Sequence, residues 1–312
     1  MKTKARGATR VLIVADLPDF VVDDFSAQFE AVRGPIEAAH SGQFQAIVIS
    51  VETRMTAEII ASLPDCVKLL ATYSVGTDHI DLAALRARRI ALLSTPDVLA
   101  DSVAEVALLL MLGAARRATE SIDLVRGGQW QGWSPRQLNG VQLAGRRLGI
   151  FGMGSIGQRI ASRAQAFDMA IAYTNRSPIP PDRVPGAEFV ASGDELLGWV
   201  DMLVLSCPST AETRGFLNRP RIASARPGLI VVNIGRGDLI VDDALVEGLK
   251  SGHIRAAGLD VFAGEPLYDR RYLSLPNVFM LPHIGSSTIE ARRAMGRILI
   301  DGIESACVGR RG

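Results

Sequence analysis

Three short segments in the C-terminal half contain residue types that could bind an anion and move a proton. They span residues 233–238, 258–266 and 281–285, and they include Arg236, Glu265 and His283. A guanidinium can bind a carboxylate and a keto oxygen, and an imidazole can protonate a developing alkoxide. A carboxylate can hold that imidazole and favour its charged form. Each residue alone could be structural, but together they supply what the reduction of a 2-keto acid requires.

A glycine-rich turn upstream of these segments predicts a binding site for the hydride donor. The apolar run Leu148–Phe151 precedes Gly152, Gly154 and Gly157, and a helical pattern follows. This is the G-x-G-x-x-G spacing of a dinucleotide-binding βαβ unit. The first glycine permits a tight turn, the second lets the backbone approach a pyrophosphate, and the third lets helix and strand pack closely. The helix N-terminus then offers its N–H groups to the phosphates.

The end of the next predicted strand favours one of the two nicotinamide cofactors. NAD-specific sites usually have Asp or Glu about 20 residues beyond the glycines, where it binds the ribose 2′-hydroxyl. Here the segment Tyr173–Ser177 contains no carboxylate. Arg176 could pair with a 2′-phosphate, and Asn175 and Ser177 could hydrogen-bond to it. The alternative is a solvated surface arginine. The position of Arg176 relative to Gly157 favours NADP(H) as the cofactor, and NAD(H) is the alternative.

Two series of apolar strands and amphipathic helices must position these residues. The strands are predicted at 11–15, 46–50, 68–72 and 90–94, and then at 148–151, 170–174, 202–206, 229–234 and 256–259. Helices are predicted between them, among them 57–63 and 81–88. Continuous apolar strands separated by helices indicate parallel sheets covered on both faces. The pattern therefore predicts an α/β protein with two such domains.

Two longer helices are expected outside this alternation. One begins near Ser102, where Ser102-x-x-Glu105 matches a capping box, and continues to about Val125. We interpret it as an inter-domain spine, although a buried core helix is the alternative. The other covers Thr288 to about Ala306 and is expected to pack on the first domain, which would make that domain discontinuous.

Composition excludes several classes of protein. The chain has 312 residues and a net charge of +1, so no basic surface indicates nucleic acid or an anionic membrane. Three scattered cysteines (Cys66, Cys207 and Cys307) have neither disulfide nor metal-ligand spacing. The basic N-terminal segment precedes an apolar run too short for a signal peptide, and no apolar stretch reaches the ~18 residues of a membrane span. We expect a cytoplasmic protein without a bound metal.

Several independent motifs occur in an order that points to one family. They are Thr72–Asp81, the glycine motif, Asn233–Gly237, Gly258–Phe262 followed by Glu265-Pro266, and Pro282–Gly285. On these motifs the chain resembles the D-isomer-specific 2-hydroxyacid dehydrogenases over nearly its whole length. The segments Asn175–Ser177, Thr95–Leu99 and Cys207-Pro208 are similar to those of NADPH-preferring glyoxylate/hydroxypyruvate reductases.

The resemblance implies an architecture. It implies two doubly wound parallel-sheet domains, a Rossmann cofactor domain and a flavodoxin-like substrate domain, with the active site in the cleft between them. Residues 1–99 and 285–312 would form the substrate domain, and residues 100–284 the dinucleotide-binding domain. It also implies a homodimer built largely on the helix that starts near Ser102.

The resemblance also assigns residue roles. Arg236 would anchor the substrate's carboxylate and carbonyl, His283 would be the general acid, and Glu265 would orient and charge His283. The loop Ser74, Val75 and Gly76 would hold the substrate carboxylate through backbone N–H groups. The residues implied for the cofactor are Gly152, Gly154, Ser155, Ile156, Gly157, Asn175, Arg176, Ser177, Cys207, Pro208, Ile234, Asp260 and Gly285. Asp260 could equally be structural, and Cys207 a packed apolar residue.

The substrate is less closely defined. Pocket width should depend on Val51–Arg54, Leu99 and Trp133, and only Arg54 in the first segment is basic, which favours glyoxylate and hydroxypyruvate over a phosphorylated acid. The alternatives are a phenylpyruvate-type reductase, a D-3-phosphoglycerate dehydrogenase, or a non-catalytic nucleotide-sensing corepressor. His79 and His253 are interpreted as structural or exposed. The segment Val308–Gly312 lacks the family's proline-containing tail, which puts the final strand contacts in doubt.

Overall fold

A computed structural model of the chain describes residues 9–308. The basic N-terminal segment and residues 309–312, where the chain departs from the family's tail, lie outside the described residues. The chain divides into two compact units. Unit 1 contains the described residues 9–99 and 287–308, and unit 2 contains Ala100–Ser286.

The strands and helices follow each other in the α/β alternation that the sequence predicts. The strands are β1 (Arg10–Ile13), β2 (Glu30–Arg33), β3 (Ala46–Ile49), β4 (Leu69–Thr72), β5 (Ala91–Leu93), β6 (Arg147–Phe151), β7 (Ala170–Thr174), β8 (Glu188–Phe189), β9 (Met202–Leu205), β10 (Leu229–Asn233), β11 (Ile254–Leu259) and β12 (Val278–Met280). The α-helices are α1 (Asp19–Gln28), α2 (Ala57–Ser62), α3 (Leu82–Ala87), α4 (Ala100–Ala115), α5 (Ala118–Arg126), α6 (Ser155–Gln165), α7 (Gly193–Trp199), α8 (Arg219–Ser224), α9 (Asp242–Ser251) and α10 (Ile289–Val308).

Unit 1 is built on a five-stranded sheet in the order β2-β1-β3-β4-β5, with every pair parallel. This is the flavodoxin-like doubly wound order. The residues of β3 and β4 are all buried because helices cover both faces of a parallel sheet. The helix α10 returns to this unit and packs against α1 and β4. Unit 1 therefore combines residues from both ends of the chain.

Unit 2 is built on a seven-stranded parallel sheet in the order β12-β11-β10-β9-β6-β7-β8. The order reverses at β6, so ligand-binding loops are expected at the carboxyl ends of β6 and its neighbours. The central strands β9 and β10 are fully buried, and Leu245 of α9 packs on the same core. The predicted fold class, two doubly wound parallel-sheet domains, is confirmed.

The long helix predicted from Ser102 to Val125 is wrong in two respects. It breaks at Arg117, whose backbone is left-handed with φ +56°, so that α4 and α5 are separate helices. Ser102 is also buried inside α4 rather than capping its start. Most residues of α4 are buried, and the helix packs against α6 and β11 of unit 2. It is a core helix of that unit, which replaces the interpretation as an inter-domain spine.

Three short strands were absent from the sequence prediction. β2 is an edge strand with Glu30 and Arg33 at its ends, β8 has two residues, and β12 has three. None is long or apolar enough to give a strand pattern. Across residues 9–308, no helix combines the length and apolar character that crossing a membrane requires.

Candidate active site

The glycine loop after β6 has a backbone that only glycine accommodates at two positions. Gly152 has φ +108°, and a Cβ there would lie 2.7 Å from the backbone nitrogen of Cys207. A Cβ on Gly157 would lie 2.3 Å from the carbonyl oxygen of Gly152. The Ser206 hydroxyl donates a 2.6 Å hydrogen bond to that same carbonyl. The loop is therefore packed tightly against the loop that follows β9.

Gly154 differs from the other two glycines because its Cα faces open space. A Cβ there would have no protein atom within 4 Å. Helix α6 begins at the next residue, Ser155, and no side chain caps it. Open space in front of uncapped N–H groups at a helix N-terminus suits a pyrophosphate. These residues fit the nicotinamide dinucleotide that the motif predicts.

The loop after β7 carries the predicted 2′-phosphate residues. Asn175 uses its side-chain oxygen to accept a 2.8 Å hydrogen bond from the backbone N–H of Met153, so it also fixes the glycine loop. Arg176 and Ser177 are exposed. The sequence analysis missed Glu212, on the loop after β9. A hydrogen bond from Thr210 and the backbone N–H of Glu212 lower the pKa of this carboxyl, and the positive charge of Arg176 adds to the effect. Glu212 is thus a carboxylate that faces Arg176.

Arg236 lies on a turn after β10 that a buried amide shapes. The side-chain nitrogen of Asn233 donates to the carbonyl of Arg236 at 2.8 Å, and its oxygen accepts from the N–H of Gly235 at 3.1 Å. A Cβ on Gly237 would lie 1.8 Å from the carbonyl carbon of Phe262. The missing side chain at Gly237 therefore lets the turn of Arg236 pack directly on the backbone that leads to Glu265.

Glu265 and His283 form a hydrogen-bonded pair. Nδ1 of His283 lies 2.8 Å from Oε2 of Glu265, and Oε1 accepts a 2.6 Å hydrogen bond from the N–H of Phe262. Burial raises the pKa of the Glu265 carboxyl, but both hydrogen bonds and the charges of His283 and Arg236 outweigh burial, so the pKa lies below its ordinary value. An ionised carboxylate only accepts, so Nδ1 carries a proton. This leaves Nε2 of His283 as the ring nitrogen for proton exchange with a ligand.

Asp260 holds the backbone of the His283 segment. Its carbonyl accepts from the N–H of His283 at 2.8 Å, and its two carboxylate oxygens accept from Ile284 and Gly285 at 2.8 and 2.9 Å. His283 needs this support because its φ is +53°, a left-handed conformation that costs a non-glycine residue about 1–2 kcal/mol. Burial raises the pKa of Asp260, against the lowering effect of the two N–H groups. These contacts favour the structural interpretation of Asp260, and its role beside the nicotinamide stays a prediction.

The remaining predicted cofactor residues line the loops of the same sheet edge. Cys207 is half-buried, and burial raises the pKa of its thiol to about 11, so it is an uncharged packing group. Ile234 is buried, whereas Pro208 is exposed. In the part of the chain that the structure describes, no cluster of three or more His, Cys, Asp or Glu side chains could hold a metal ion.

The predicted substrate loop lies in unit 1, after β4. Ser74 is buried and Val75 is exposed. Of the residues expected to set pocket width, Leu99 is buried, and Trp133 is 85% exposed. Unit 2 thus brings together the glycine loop, the Arg176 loop, Arg236, Asp260, Glu265 and His283 at one edge of one sheet.

Comparisons with known proteins show which proteins the chain is similar to. Residues 108–285 match the model of the D-isomer specific 2-hydroxyacid dehydrogenase family, NAD binding domain. The chain is 40% identical to a glycerate dehydrogenase of Hyphomicrobium methylovorum, over 97% of this chain and 91% of that protein. It is 39% identical to a glyoxylate reductase of Thermococcus kodakarensis, over 93% of this chain and 90% of that protein.

A solved structure extends the likeness to the fold. It is the NADPH-dependent glyoxylate/hydroxypyruvate reductase of Sinorhizobium meliloti, in complex with NADP and malonate. The TM-score is 0.86 and the identity 31%, over 96% of this chain and 93% of that one.

Proposed function

The chain belongs to the D-isomer specific 2-hydroxyacid dehydrogenase family, and we propose that it reduces small 2-keto acids to D-2-hydroxy acids with NADPH. Its relatives are dehydrogenases and reductases, so it is an oxidoreductase. The observation that carries the specific proposal is the His283–Glu265 pair, with Nδ1 and Oε2 2.8 Å apart and the charge of Arg236 acting on the same carboxylate. This arrangement supports the proposal that His283 is the proton donor, Glu265 its orienting carboxylate and Arg236 the anion-binding cation.

In the proposed mechanism each side chain has one task. The bound cofactor supplies the hydride to the keto carbon. Arg236 binds the substrate's carboxylate and carbonyl oxygen, which aligns the carbonyl for reaction. His283 donates the proton from Nε2 to the developing alkoxide, while its Nδ1–H stays on Glu265. Glu265 stabilises the protonated ring before transfer and holds its orientation afterwards. The family resemblance also assigns the Ser74–Gly76 loop a role in the proposal, which is to bind the substrate carboxylate through backbone N–H groups.

We propose NADPH as the preferred cofactor because Arg176 is exposed at the end of β7, where a carboxylate would exclude a 2′-phosphate. Glu212 moderates that preference, since it is a carboxylate facing Arg176. Arg176→Ala should raise KM for NADPH by about tenfold, because one charge-assisted contact is lost, and KM for NADH by less than twofold. Steady-state kinetics with both cofactors measures this. Equal effects on both would remove the argument for the 2′-phosphate.

Glyoxylate and hydroxypyruvate are the proposed substrates. The glyoxylate reductase of Thermococcus kodakarensis and the glyoxylate/hydroxypyruvate reductase of Sinorhizobium meliloti are both similar to this chain, and the segment 51–54 contains a single cation, Arg54. A phosphorylated keto acid would be expected to need more positive charge. Phenylpyruvate-type acids and 3-phosphohydroxypyruvate are the competing substrates.

The test measures the rate of cofactor oxidation from the loss of the near-ultraviolet absorbance of reduced nicotinamide. NADPH and NADH are each combined with glyoxylate, hydroxypyruvate, phenylpyruvate and 3-phosphohydroxypyruvate. We expect the highest kcat/KM with NADPH and one of the first two acids, and the product formed from hydroxypyruvate should be the D-enantiomer of glycerate. Oxidation with none of the acids would contradict an enzymatic function and favour a nucleotide-sensing corepressor.

We also propose a homodimer, and the structure changes which surface would form it. Helix α4 is mostly buried in its own unit, whereas α5 has no buried residue. Ile122 and Val125 on α5 are 46% and 61% exposed, and Trp130 and Trp133 on the following loop are 55% and 85% exposed. Exposed apolar residues grouped in this way are typical of a subunit interface. Size-exclusion chromatography with light scattering tests the proposal, and a monomer at micromolar concentration would contradict it.

A further inference from the structure

A chain of buried polar side chains lies at the carboxyl end of β4 in unit 1. Thr72, the last residue of the strand, is fully buried, and Ser74 is 7% exposed. Their hydroxyl oxygens are 2.7 Å apart. Nε2 of His79 lies 3.0 Å from the Thr72 hydroxyl, and the Ser74 hydroxyl donates to the carbonyl of Gly76 at 2.7 Å. The chain thus connects an imidazole to the far end of the Ser74–Gly76 loop.

The chemistry of the groups fixes the direction of every hydrogen bond in this chain. A carbonyl oxygen only accepts, so the Ser74 hydroxyl must use its one proton on Gly76. Ser74 can then only accept from Thr72, which uses its own proton in that bond. The Thr72 oxygen is left as an acceptor, and Nε2 of His79 must be the donor. His79 can donate from Nε2 either as the neutral tautomer that carries its proton on Nε2 or as the imidazolium, which has protons on both nitrogens.

The direction has a consequence for the loop. The Ser74 hydroxyl proton is committed to Gly76, so the side chain of Ser74 shapes the loop and does not donate a proton to a ligand. Without a donor at position 79, the fully buried Thr72 oxygen would lose the hydrogen bond that it accepts, which is costly in a buried position. The Thr72 side chain would then no longer be held in the orientation that donates to Ser74. The donor at residue 79 therefore keeps the whole chain in one arrangement.

We propose that His79 is a positioning residue for substrate binding, which acts through Thr72 and Ser74 to hold the Ser74–Gly76 loop in the conformation that binds the substrate carboxylate. The proposal rests on the proposed function of that loop. His79 does not touch the substrate. Its effect should fall on substrate affinity, and hydride and proton transfer should proceed at the ordinary rate once substrate is bound.

The kinetic test uses His79→Leu and Thr72→Val, which break the chain at two neighbouring links. Each should raise KM for glyoxylate about tenfold, the effect of about one hydrogen bond, with kcat and KM for NADPH changed less than twofold. The double variant should be no worse than either single variant, since both remove the same chain. His79→Gln and Thr72→Ser, which retain a donor and a hydroxyl, should recover most of the affinity. His253→Leu is the matched control, because His253 bonds the Ala225 carbonyl in unit 2 at 3.0 Å.

A second measurement does not depend on catalysis. Amide hydrogen exchange at Thr95, whose N–H donates to the carbonyl of Ser74 at 3.0 Å, should be faster in His79→Leu and Thr72→Val than in the wild type in the ligand-free protein, and unchanged in His253→Leu. Unchanged exchange in both variants overturns the positioning role. Faster exchange with an unchanged KM also overturns the proposal, and it locates the error in the loop's assumed contact with substrate. Additive effects, or equal losses in kcat and in NADPH affinity, would indicate general destabilisation and likewise contradict it.

If the wild type reduces none of the keto acids, the proposed function fails separately. The exchange data would still decide whether His79 fixes the loop, because they need no substrate.

Discussion

The carboxyl end of β4 in unit 1 and the carboxyl ends of β10, β11 and β12 in unit 2 are built from opposite kinds of polar group. At the first, two buried hydroxyls and an imidazole form a hydrogen-bonded chain with no carboxylate in it. At the second, the carboxylate of Glu265 is hydrogen-bonded to the imidazole of His283, and the two side chains are 33% and 42% exposed. Both edges belong to parallel sheets of the same α/β type, so the fold alone does not explain the difference.

The difference follows from what each edge is proposed to do. Neutral groups can be buried cheaply when every proton has an acceptor, and such a chain fixes a loop in one conformation. A group that exchanges a proton with a ligand has to change charge, and partial exposure lowers the cost of that change. Asp260 differs from Glu265 and His283 at the second edge, because it is a carboxylate that is only 1% exposed. It is tolerated there because two backbone N–H groups bind its oxygens.

The largest expected effect comes from removing the proton donor of unit 2. His283→Ala should lower kcat by about 10²–10⁴-fold, the usual contribution of general acid catalysis, while NADPH binding changes little. Steady-state kinetics and cofactor fluorescence titration measure the two quantities. His253→Ala is the control, since it removes a histidine of the same unit whose side chain hydrogen-bonds the carbonyl of Ala225. Near-normal turnover of every accepted acid by His283→Ala would refute the assignment.

Much of this edge could be predicted from the sequence, because its residues follow apolar strands. Arg236 follows β10 and the Glu265 segment follows β11, which are both predicted strands, so parallel topology brings them to one edge. His283 follows β12, which the sequence analysis did not predict, so its place at this edge came from the family resemblance. The hydrogen bond between Glu265 and His283 agrees with the role that the family resemblance implied for Glu265. What each of the three residues does in catalysis stays a prediction.

The features that sequence reasoning missed depend on loops and on backbone conformation. The left-handed backbone at Arg117, which ends α4, has no glycine or asparagine to indicate it. Glu212 faces Arg176 only because the loops after β7 and β9 share a sheet edge. His79 was interpreted as structural or exposed, and its Nε2 lies 3.0 Å from the hydroxyl of Thr72, seven positions earlier in the chain, a partner that the sequence does not indicate. No pattern of apolar periodicity carries such information.

A smaller effect should come from the buried carboxylate that holds the His283 backbone. Asp260→Asn replaces one acceptor oxygen with an NH₂ group, which then opposes the N–H of Ile284 or Gly285. An unsatisfied buried donor costs about 1–3 kcal/mol, so the free energy of unfolding should fall by about that amount. Chemical denaturation measures it. Glu247→Gln is the control, because it breaks an exposed ion pair with Arg219 that solvent screens, and it should leave stability nearly unchanged.

Equal stability of Asp260→Asn and the wild type would contradict the holding role. Because burial raises the pKa of Asp260, the native state binds the proton more readily than the unfolded state, so the stability difference between the wild type and Asp260→Asn should become larger as pH falls and the wild-type carboxyl is protonated.

The smallest effect distinguishes the two edges by pH. The pKa of Glu265 in the native state lies below its ordinary value of 4.5, so the ionised carboxylate is more stable in the native state than in the unfolded state. Its contribution to stability is therefore fully present above pH 4.5 and is lost as pH falls through the lower, native value. The wild type should be more stable than Glu265→Gln at pH 6, by less than about 1 kcal/mol for a pair this exposed, and the difference should shrink at pH 4 and below. Thr72→Val, which removes a hydroxyl that does not ionise in this range, provides the comparison from unit 1. Thermal unfolding of the three proteins at several pH values decides whether the Glu265→Gln difference depends on pH. A Glu265→Gln difference that is independent of pH would mean that the carboxylate is not ionised preferentially in the native state, and the contrast between this carboxylate and the hydroxyls of Thr72 and Ser74 would disappear.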